Sequence, residues 1–122
     1  MNPLIAAAML ILLLGHVPSP GNAQPAPTFR ATCAELRGAL RDHKIDGYEL
    51  VTIEVIGTLT ITHSDGALVY LGMCRPPDPQ VLCVTYELEG RKVGDEVILT
   101  GAYIPRGPDH IQLDPCLHHE PE

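Results

Sequence analysis

A cysteine, two histidines and two glutamates lie within the last nine residues of the chain, DPCLHHEPE. Thiolate and imidazole groups are common ligands of zinc, copper and nickel, so this end of the chain is a candidate metal site. By the two-residue period of a strand, His110 and Asp114 share a face with Cys116. A metal-handling protein, which binds or transports a metal ion, is therefore one candidate. Its ligand set is His110, Cys116, His118 and His119.

Two features of the spacing favour a polar chain end instead. Cys116 and His118 are one residue apart, which is tighter than the C-x2-C and H-x3-H spacings of tetrahedral zinc sites. The adjacent His118 and His119 side chains point apart in an extended chain. A cysteine that is oxidised to a disulfide is no longer a thiolate ligand. We therefore predict no metal or other cofactor, and a disordered tail over residues 117–122.

The first 23 residues predict export. Residues 4–14 (LIAAAMLILLL) form an apolar run of about eleven residues, whereas a membrane-spanning helix needs about 20. Helix-breaking prolines follow, and then small residues, which is the pattern of a signal peptide (residues 1–23) cleaved near Ala23-Gln24. This predicts a periplasmic or secreted protein without a stable membrane span. An uncleaved membrane anchor is the alternative.

The composition bounds the size and the partners of the exported part. About 100 residues make one small domain, which buries roughly 60–65% of the surface of its unfolded chain and is marginally stable without cross-links. The four cysteines therefore predict two disulfides in an oxidising compartment. Lys and Arg number 8 against 15 Asp and Glu, a formal net charge of −7. A polyanion is repelled by such a charge, so nucleic acid is not an expected partner.

Local patterns predict a short lead and then one helix. Residues 24–30 (QPAPTFR) show no periodicity and are expected to be a short flexible lead. Thr32 and Glu35 fit a capping box, in which each side chain accepts a hydrogen bond from the other residue's backbone N–H. An apolar stripe at helical spacing follows, so we expect a helix that ends near Asp42.

From Tyr48 onward the apolar period changes from 3.6 to 2, which is typical of strands. The first strand is long, and the out-of-phase Ile56 followed by Gly57 indicates a bulge or bend in its middle. Asp65-Gly66 predicts a hairpin turn, and three prolines between residues 75 and 79 separate the second strand from the third. Strands two to five are expected at residues 67–74, 80–88, 96–104 and 110–114.

The stretch KVGDEVILTGAYIPRGPDHIQLDPC resembles the last two strands of the OB-fold, with Gly-Asp-x-Val opening strand four and a glycine in mid-strand. Together with IEVIGTLTI at strand one, it is similar to the tRNA-anti-like group of OB-fold domains in small exported bacterial proteins. The resemblance implies a mainly β fold over residues 31–116: a five-stranded OB-like barrel with a bent first strand, preceded by one short α-helix. ELEGRKV stands where OB-folds often carry a helix, so the N-terminal helix is expected to close that end of the barrel.

The predicted strand faces suggest how the cysteines pair. The more apolar alternate sets on strands two and three are Ala67, Val69, Leu71 and Met73, and Leu82, Val84, Tyr86 and Leu88. If these sets face the interior, Cys74 and Cys83 both point outward beside the proline-rich loop. We therefore predict Cys74–Cys83 and Cys33–Cys116 disulfides. The main alternative pairs Cys83 with Cys116, because strands three and five are neighbours in an OB barrel.

OB-folds bind ligands on the face of strands two and three and on the adjoining loops. The outward set there predicts a binding face that contains Tyr70, Thr85 and Glu87, with Arg75 on the neighbouring loop. A single-stranded nucleic-acid reader needs several aromatic and basic side chains along that groove, so a protein or a small molecule is the expected ligand. C-x-x-C, G-x-S-x-G and phosphate-binding glycine motifs are absent from the sequence. We predict an exported, disulfide-stabilised binding or interaction module without catalytic activity.

Overall fold

The computed structural model describes residues 29–42, 45 and 51–122. The predicted signal peptide and most of the predicted lead lie outside these residues. Phe29 and Arg30, expected at the end of the lead, lie in a strand that was not predicted. The elements are β1 (Phe29–Thr32), α1 (Cys33–Arg41), β2 (Thr52–Ser64), β3 (Val69–Met73), β4 (Gln80–Thr85), β5 (Glu96–Pro105) and β6 (His110–His119).

The capping box at the start of α1 is confirmed. The Glu35 backbone N–H donates to Thr32 Oγ1 over 3.3 Å, and the Thr32 N–H donates to Glu35 Oε1 over 3.0 Å. The hydrogen bond from the Thr32 backbone N–H to the carboxylate, and then a contribution from the Thr32 side chain, lower the pKa of Glu35. The helix ends at Arg41, with Asp42 as its C-cap. Leu36 and Ala39 on one face of this short helix are buried in the core, so tertiary packing holds it in place.

Strand β2 is long because its two halves pair with different strands. It pairs with β5 along residues 52–58 and with β3 along residues 59–64. The strand order is β1-β2-β3-β4-β6-β5, and the additional pairing of β2 with β5 closes the five strands β2 to β6 into a barrel. Neighbouring barrel strands are antiparallel except β4 and β6, which are parallel. The predicted five-stranded OB-like barrel with a preceding helix is confirmed, with β1 added in parallel to the first half of β2.

The irregularity in β2 lies slightly later than predicted. Pairing with β5 is regular through Ile56 and Gly57, and the register shift falls between Leu59 and Ile61, where β2 passes from one partner to the other. Gly57 has a packing role instead. A Cβ at this position would lie 3.0 Å from the Met73 Sδ and close to a cysteine sulfur, so a side chain there would displace the core beneath the helix.

The face of β4 was predicted wrongly. The apolar set with Leu82 and Tyr86 was expected inside, but Tyr86 is 76% exposed, whereas Cys83 is fully buried and Thr85 is only 6% exposed. The register explains the difference. Leu71 on β3 is in the core and is the direct partner of Cys83 on β4, so the two side chains share a face. The prediction for β3 was right for Val69, Leu71 and Met73, which are all buried, and wrong for Ala67, which is exposed and precedes the strand.

The disulfides differ from the predicted Cys74–Cys83 and Cys33–Cys116 pairs. The structure pairs Cys33 with Cys74 and Cys83 with Cys116, with Cα–Cα distances of 5.6 and 5.5 Å. The wrong face of β4 caused the error, because Cys83 points into the barrel and away from Cys74. The alternative pairing of Cys83 with Cys116, from the adjacency of the third and fifth barrel strands, was correct.

A bulge in β6 determines which residues of the C-terminal segment face inward. Between the pairs Gly101↔Cys116 and Tyr103↔Leu113, two residues of β6 oppose one residue of β5. The alternation therefore shifts by one, so that Leu113 and Cys116 are both buried. At Gly101 a Cβ would lie 2.5 Å from the Pro115 carbonyl oxygen, so only glycine fits next to the bulge. The strand continues to His119, and the predicted disordered tail is wrong for residues 117–119.

Candidate functional site

The outward side of β3 and β4, with the adjoining parts of β2 and β6, forms a surface that we call the outer groove. It runs from the turn at residues 65–68 to the loops at residues 75–79 and 106–109. A cleft of about 680 Å³ lies at the loop end, and a smaller pocket of about 240 Å³ adjoins it. Gln80 and His110 line both cavities, so the two are neighbours on the same surface.

The floor of the outer groove is apolar and shallow. Ile61 and Gly72 are direct partners on β2 and β3, and Gly72 in turn faces Leu82 on β4. Ile61 is 39% exposed, although it is a large aliphatic residue. A Cβ at Gly72 would lie 2.9 Å from the Ile61 Cβ, so the glycine lets this side chain lie over the strand.

One end of the groove carries an ordered aromatic and acidic group. The Tyr70 hydroxyl donates to Asp65 Oδ2 over 3.1 Å, while Asp65 Oδ1 accepts from the backbone N–H groups of Ala67 and Leu68. The Leu68 and Ala67 N–H groups lower the pKa of Asp65, and the hydrogen bond to Asp65 raises the pKa of Tyr70. The His63 and Tyr70 rings stack with centroids 6.0 Å apart. The turn thus fixes where Tyr70 lies.

The other end is formed by two loops that hydrogen bonds tie together. The Gln80 N–H donates to the Asp109 carbonyl over 2.8 Å, and the Arg106 N–H donates to the His110 carbonyl over 2.9 Å. Arg106 Nε also donates to Gln112 Oε1 over 2.9 Å, which holds the guanidinium against the smaller pocket. Arg75 lines the larger cleft and is exposed. This end therefore presents cations on a fixed backbone.

The predicted binding residues do not all meet. Tyr70 lies on the outer groove and Arg75 lines its cleft. Thr85 faces the barrel interior opposite Val69, and Glu87 lies past the end of β4, so neither shares this surface. The prediction missed Ile61, Leu82, His110 and Gln112 as lining residues. Arg106, considered with Arg75 as a loop residue near this face, lines the smaller pocket. A signal for the missed residues existed, since the correct face of β4 follows from pairing Cys83 with Cys116.

The proposed metal ligands are not brought together. Cys116 is in a disulfide, and His110 lies at the opposite end of β6 from His119. His118 is buried and both of its ring nitrogens are occupied: Nδ1 accepts from Arg91 Nε over 2.9 Å, so Nε2 carries the proton and donates to the Glu87 carbonyl over 2.8 Å. Among the residues that the structure describes, no group of three His, Cys, Asp or Glu is arranged to hold a metal ion.

The C-terminal residues instead contact the connection between β4 and β5. Arg91 contacts Glu120 as well as His118, with Nη1 and Oε1 3.5 Å apart. These contacts tie the β4–β5 connection to the last strand. His118 faces inward only because the β6 bulge has shifted the alternation.

Comparisons with protein families and curated proteins indicate no function for this chain. Neither a scan with protein-family models nor a search of curated proteins found a match to this chain. In the described residues there is no helix of sufficient length and apolar character to cross a membrane.

Proposed function

We propose that this protein is an exported binding module, without catalytic activity, which holds a protein segment or a small molecule in the outer groove. The observation that carries the proposal is the surface shared by the 680 Å³ cleft and its neighbouring pocket. It combines an apolar floor with amide, imidazole and guanidinium groups, which is the usual make-up of a binding site. OB-like barrels bind their ligands on the corresponding face.

The loops that line the groove are held before any ligand arrives. Cys74 lines the cleft and is bonded to Cys33 at the start of α1. The Arg37 Nη1 and Asp78 Oδ1 atoms, 3.5 Å apart, make a second link from the helix to the proline-rich loop. A preorganised surface loses less conformational entropy when it binds, and this favours a recognition role.

Export is supported by the oxidised cysteines as well as by the N-terminal sequence. All four cysteines are in disulfides, which persist in the periplasm or outside the cell and are rare in the cytosol. The proposal includes cleavage near Ala23-Gln24 and the resemblance to the tRNA-anti-like group of exported domains. The formal charge of −7 and the single tyrosine of the groove favour protein or small-molecule ligands over nucleic acid.

Two measurements test the proposal. The intact mass of protein recovered from the periplasm of an expressing cell should match residues 24–122 minus four hydrogens. A mass that includes residues 1–23, or free thiols in that sample, would contradict the export part.

The binding part is tested by NMR. Amide spectra of the oxidised protein are recorded against separate sets of short peptides, oligosaccharides and small organic acids. We expect perturbed resonances to cluster at Ile61, Gly72, Leu82, Arg106 and Gln112. Perturbations that cluster on the Arg91–His118 end, or none in any set, would contradict it.

A further inference from the structure

The two ends of the outer groove carry opposite charges. We propose that its occupant is an extended segment of a partner protein, with a basic and an acidic side chain four residues apart and an apolar side chain between them. This inference rests on the proposed function and names the chemistry of the ligand for the same surface.

The loop end is the cationic end. Arg75 and Arg106 lie on its two loops, and within the described residues neither forms an ion pair. Two carboxylates line the same cleft. Asp78 is neutralised by Arg37, which leaves Asp109 as the one opposing charge. The net charge of this end is therefore positive, and it attracts an acidic side chain.

The turn end is the acidic end. Asp65 fixes the Tyr70 hydroxyl, and Asp114 is close enough to raise the pKa of Tyr70 further through its charge. Asp114 also accepts from Gln112 Nε2 over 3.2 Å, so its carboxylate is held on the groove side of β6. Neither aspartate is in an ion pair with another described residue. The face of the Tyr70 ring beside them can also bind a cation through a cation–π interaction.

The distance between the ends sets the spacing in the partner. From Gln80 at the loop end to Val84, the partner of Tyr70, β4 advances four residues. At about 3.3 Å per residue this is about 13 Å. In an extended peptide, side chains at i, i+2 and i+4 point to one side over the same length. The charged side chains at i and i+4 then reach the two ends, and the side chain at i+2 lies over Gly72 between Ile61 and Leu82.

The test uses four short capped peptides and the full oxidised protein. The matching peptide is Ser-Lys-Ser-Val-Ser-Glu-Ser. Two variants carry Lys at both charged positions or Glu at both, and the fourth has the matching composition with Lys and Glu only two residues apart. Affinities come from amide chemical shifts on the protein. We expect the matching peptide to bind at least about fivefold more tightly than the other three, with an advantage that shrinks at high salt.

Charge reversal in the protein should switch this preference. The double variant Arg75→Glu/Arg106→Glu should favour the peptide with two lysines, because both ends of its groove are then acidic. Both arginines are on the surface, so the barrel stays folded. Lys92→Glu makes the same change of charge per site at the opposite end of the barrel and should keep the original preference within about twofold.

Three results would overturn the inference. One is a double variant that still prefers the matching peptide. Another is equal binding of all four peptides at the groove, which would leave the proposed function standing with a different ligand class. The third is a concentration-dependent dimer whose dissociation, and not the peptide, moves the groove resonances. In that case a second copy of the chain is the occupant.

Discussion

The two disulfides contrast in what they hold. Cys83–Cys116 is inside the barrel, where the two residues are 0% and 3% exposed, and joins the strands β4 and β6, which are also paired by hydrogen bonds. Cys33–Cys74 lies at the edge, joins the helix to the proline-rich loop and borders the cleft. Their sequence separations, 33 and 41 residues, are similar enough that chain entropy assigns each about 4 kcal/mol. The two disulfides therefore differ in position and not in loop length. The first cross-links the barrel, and the second cross-links the border of the outer groove.

Removal of the inner disulfide should have the largest effect on folding. Cys83→Ala/Cys116→Ala loses the cross-link and also leaves a void where two buried sulfurs packed. We expect the free energy of unfolding to fall by about 4–6 kcal/mol, which approaches the whole stability of a small domain. Urea denaturation followed by circular dichroism measures this. A loss below about 2 kcal/mol would show that the β4–β6 ladder is sufficient alone.

Removal of the outer disulfide should cost less stability and more binding. Cys33→Ala/Cys74→Ala is expected to lower the free energy of unfolding by about 2–4 kcal/mol, because the loop constraint is lost but Cys33 is only partly buried, so less packing is lost than with the inner pair. Binding at the outer groove should weaken at least about tenfold, since the proline-rich loop loses its fixed position. Denaturation and NMR titration on the same sample measure both. Unchanged binding would show that the Arg37–Asp78 contact is enough to hold the loop.

Unlike removal of the outer disulfide, substitution at the Arg91–His118 end should change the stability of the protein and leave binding at the outer groove unchanged. His118→Ala leaves the Glu87 carbonyl without its donor and Arg91 without its acceptor. We expect a loss of about 1–3 kcal/mol. His119→Ala is the matched control: the neighbouring side chain is exposed, so its change should stay within about 0.5 kcal/mol. Groove affinity should be equal in both variants. Equal destabilisation by the two substitutions would contradict the inward position of His118.

The smallest expected effect is a change in acid sensitivity at the turn of the groove. The pKa of Asp65 is lowered in the folded protein, chiefly by the Leu68 and Ala67 N–H groups, so its contribution is present above the unfolded value near 3.9. It is lost as the pH falls through the lower folded pKa. Asp65→Asn should therefore flatten the fall in stability between about pH 5 and pH 2. Tyr70→Phe removes only a lesser cause of the shift and should keep most of the slope.

The part of the fold that depends on local pattern was predictable. Thr32 and Glu35 specify the helix start by direct hydrogen bonds, and the period-2 stretches locate four of the five barrel strands to within a few residues. The last strand begins where predicted, at His110, but runs five residues past its predicted end. β1 escaped prediction because its four residues are too few for their apolar-polar alternation to identify a strand, which forms through parallel pairing with β2. The C-terminal tail was misjudged for a similar reason, since Leu117 to His119 are ordered by β5.

The site was harder to predict because it depends on faces and on register. Leu82 on β4 and Tyr86 just after it belong to the more apolar alternate set, yet they point outward, and the pairing of Leu71 with Cys83 determines the inward face. Apolar content is a poor guide where one face is a ligand surface, because such a surface is itself partly apolar. Gln112, and Arg106 bound to it, could not be placed beside Leu82 until the register of β4 against β6 was known.

The bulge in β6 has a consequence for how sequences with this fold can diverge. The two residues opposite Ala102, Asp114 and Pro115, determine which of the later side chains of β6 face inward. A single deletion at either position would therefore turn Cys116 out of the barrel. Cys83 would then be a buried, unpaired thiol. Chains descended from a common ancestor should therefore gain or lose the bulge, the glycine at 101 and both cysteines as one inherited block, while the outer groove is free to change its lining residue by residue.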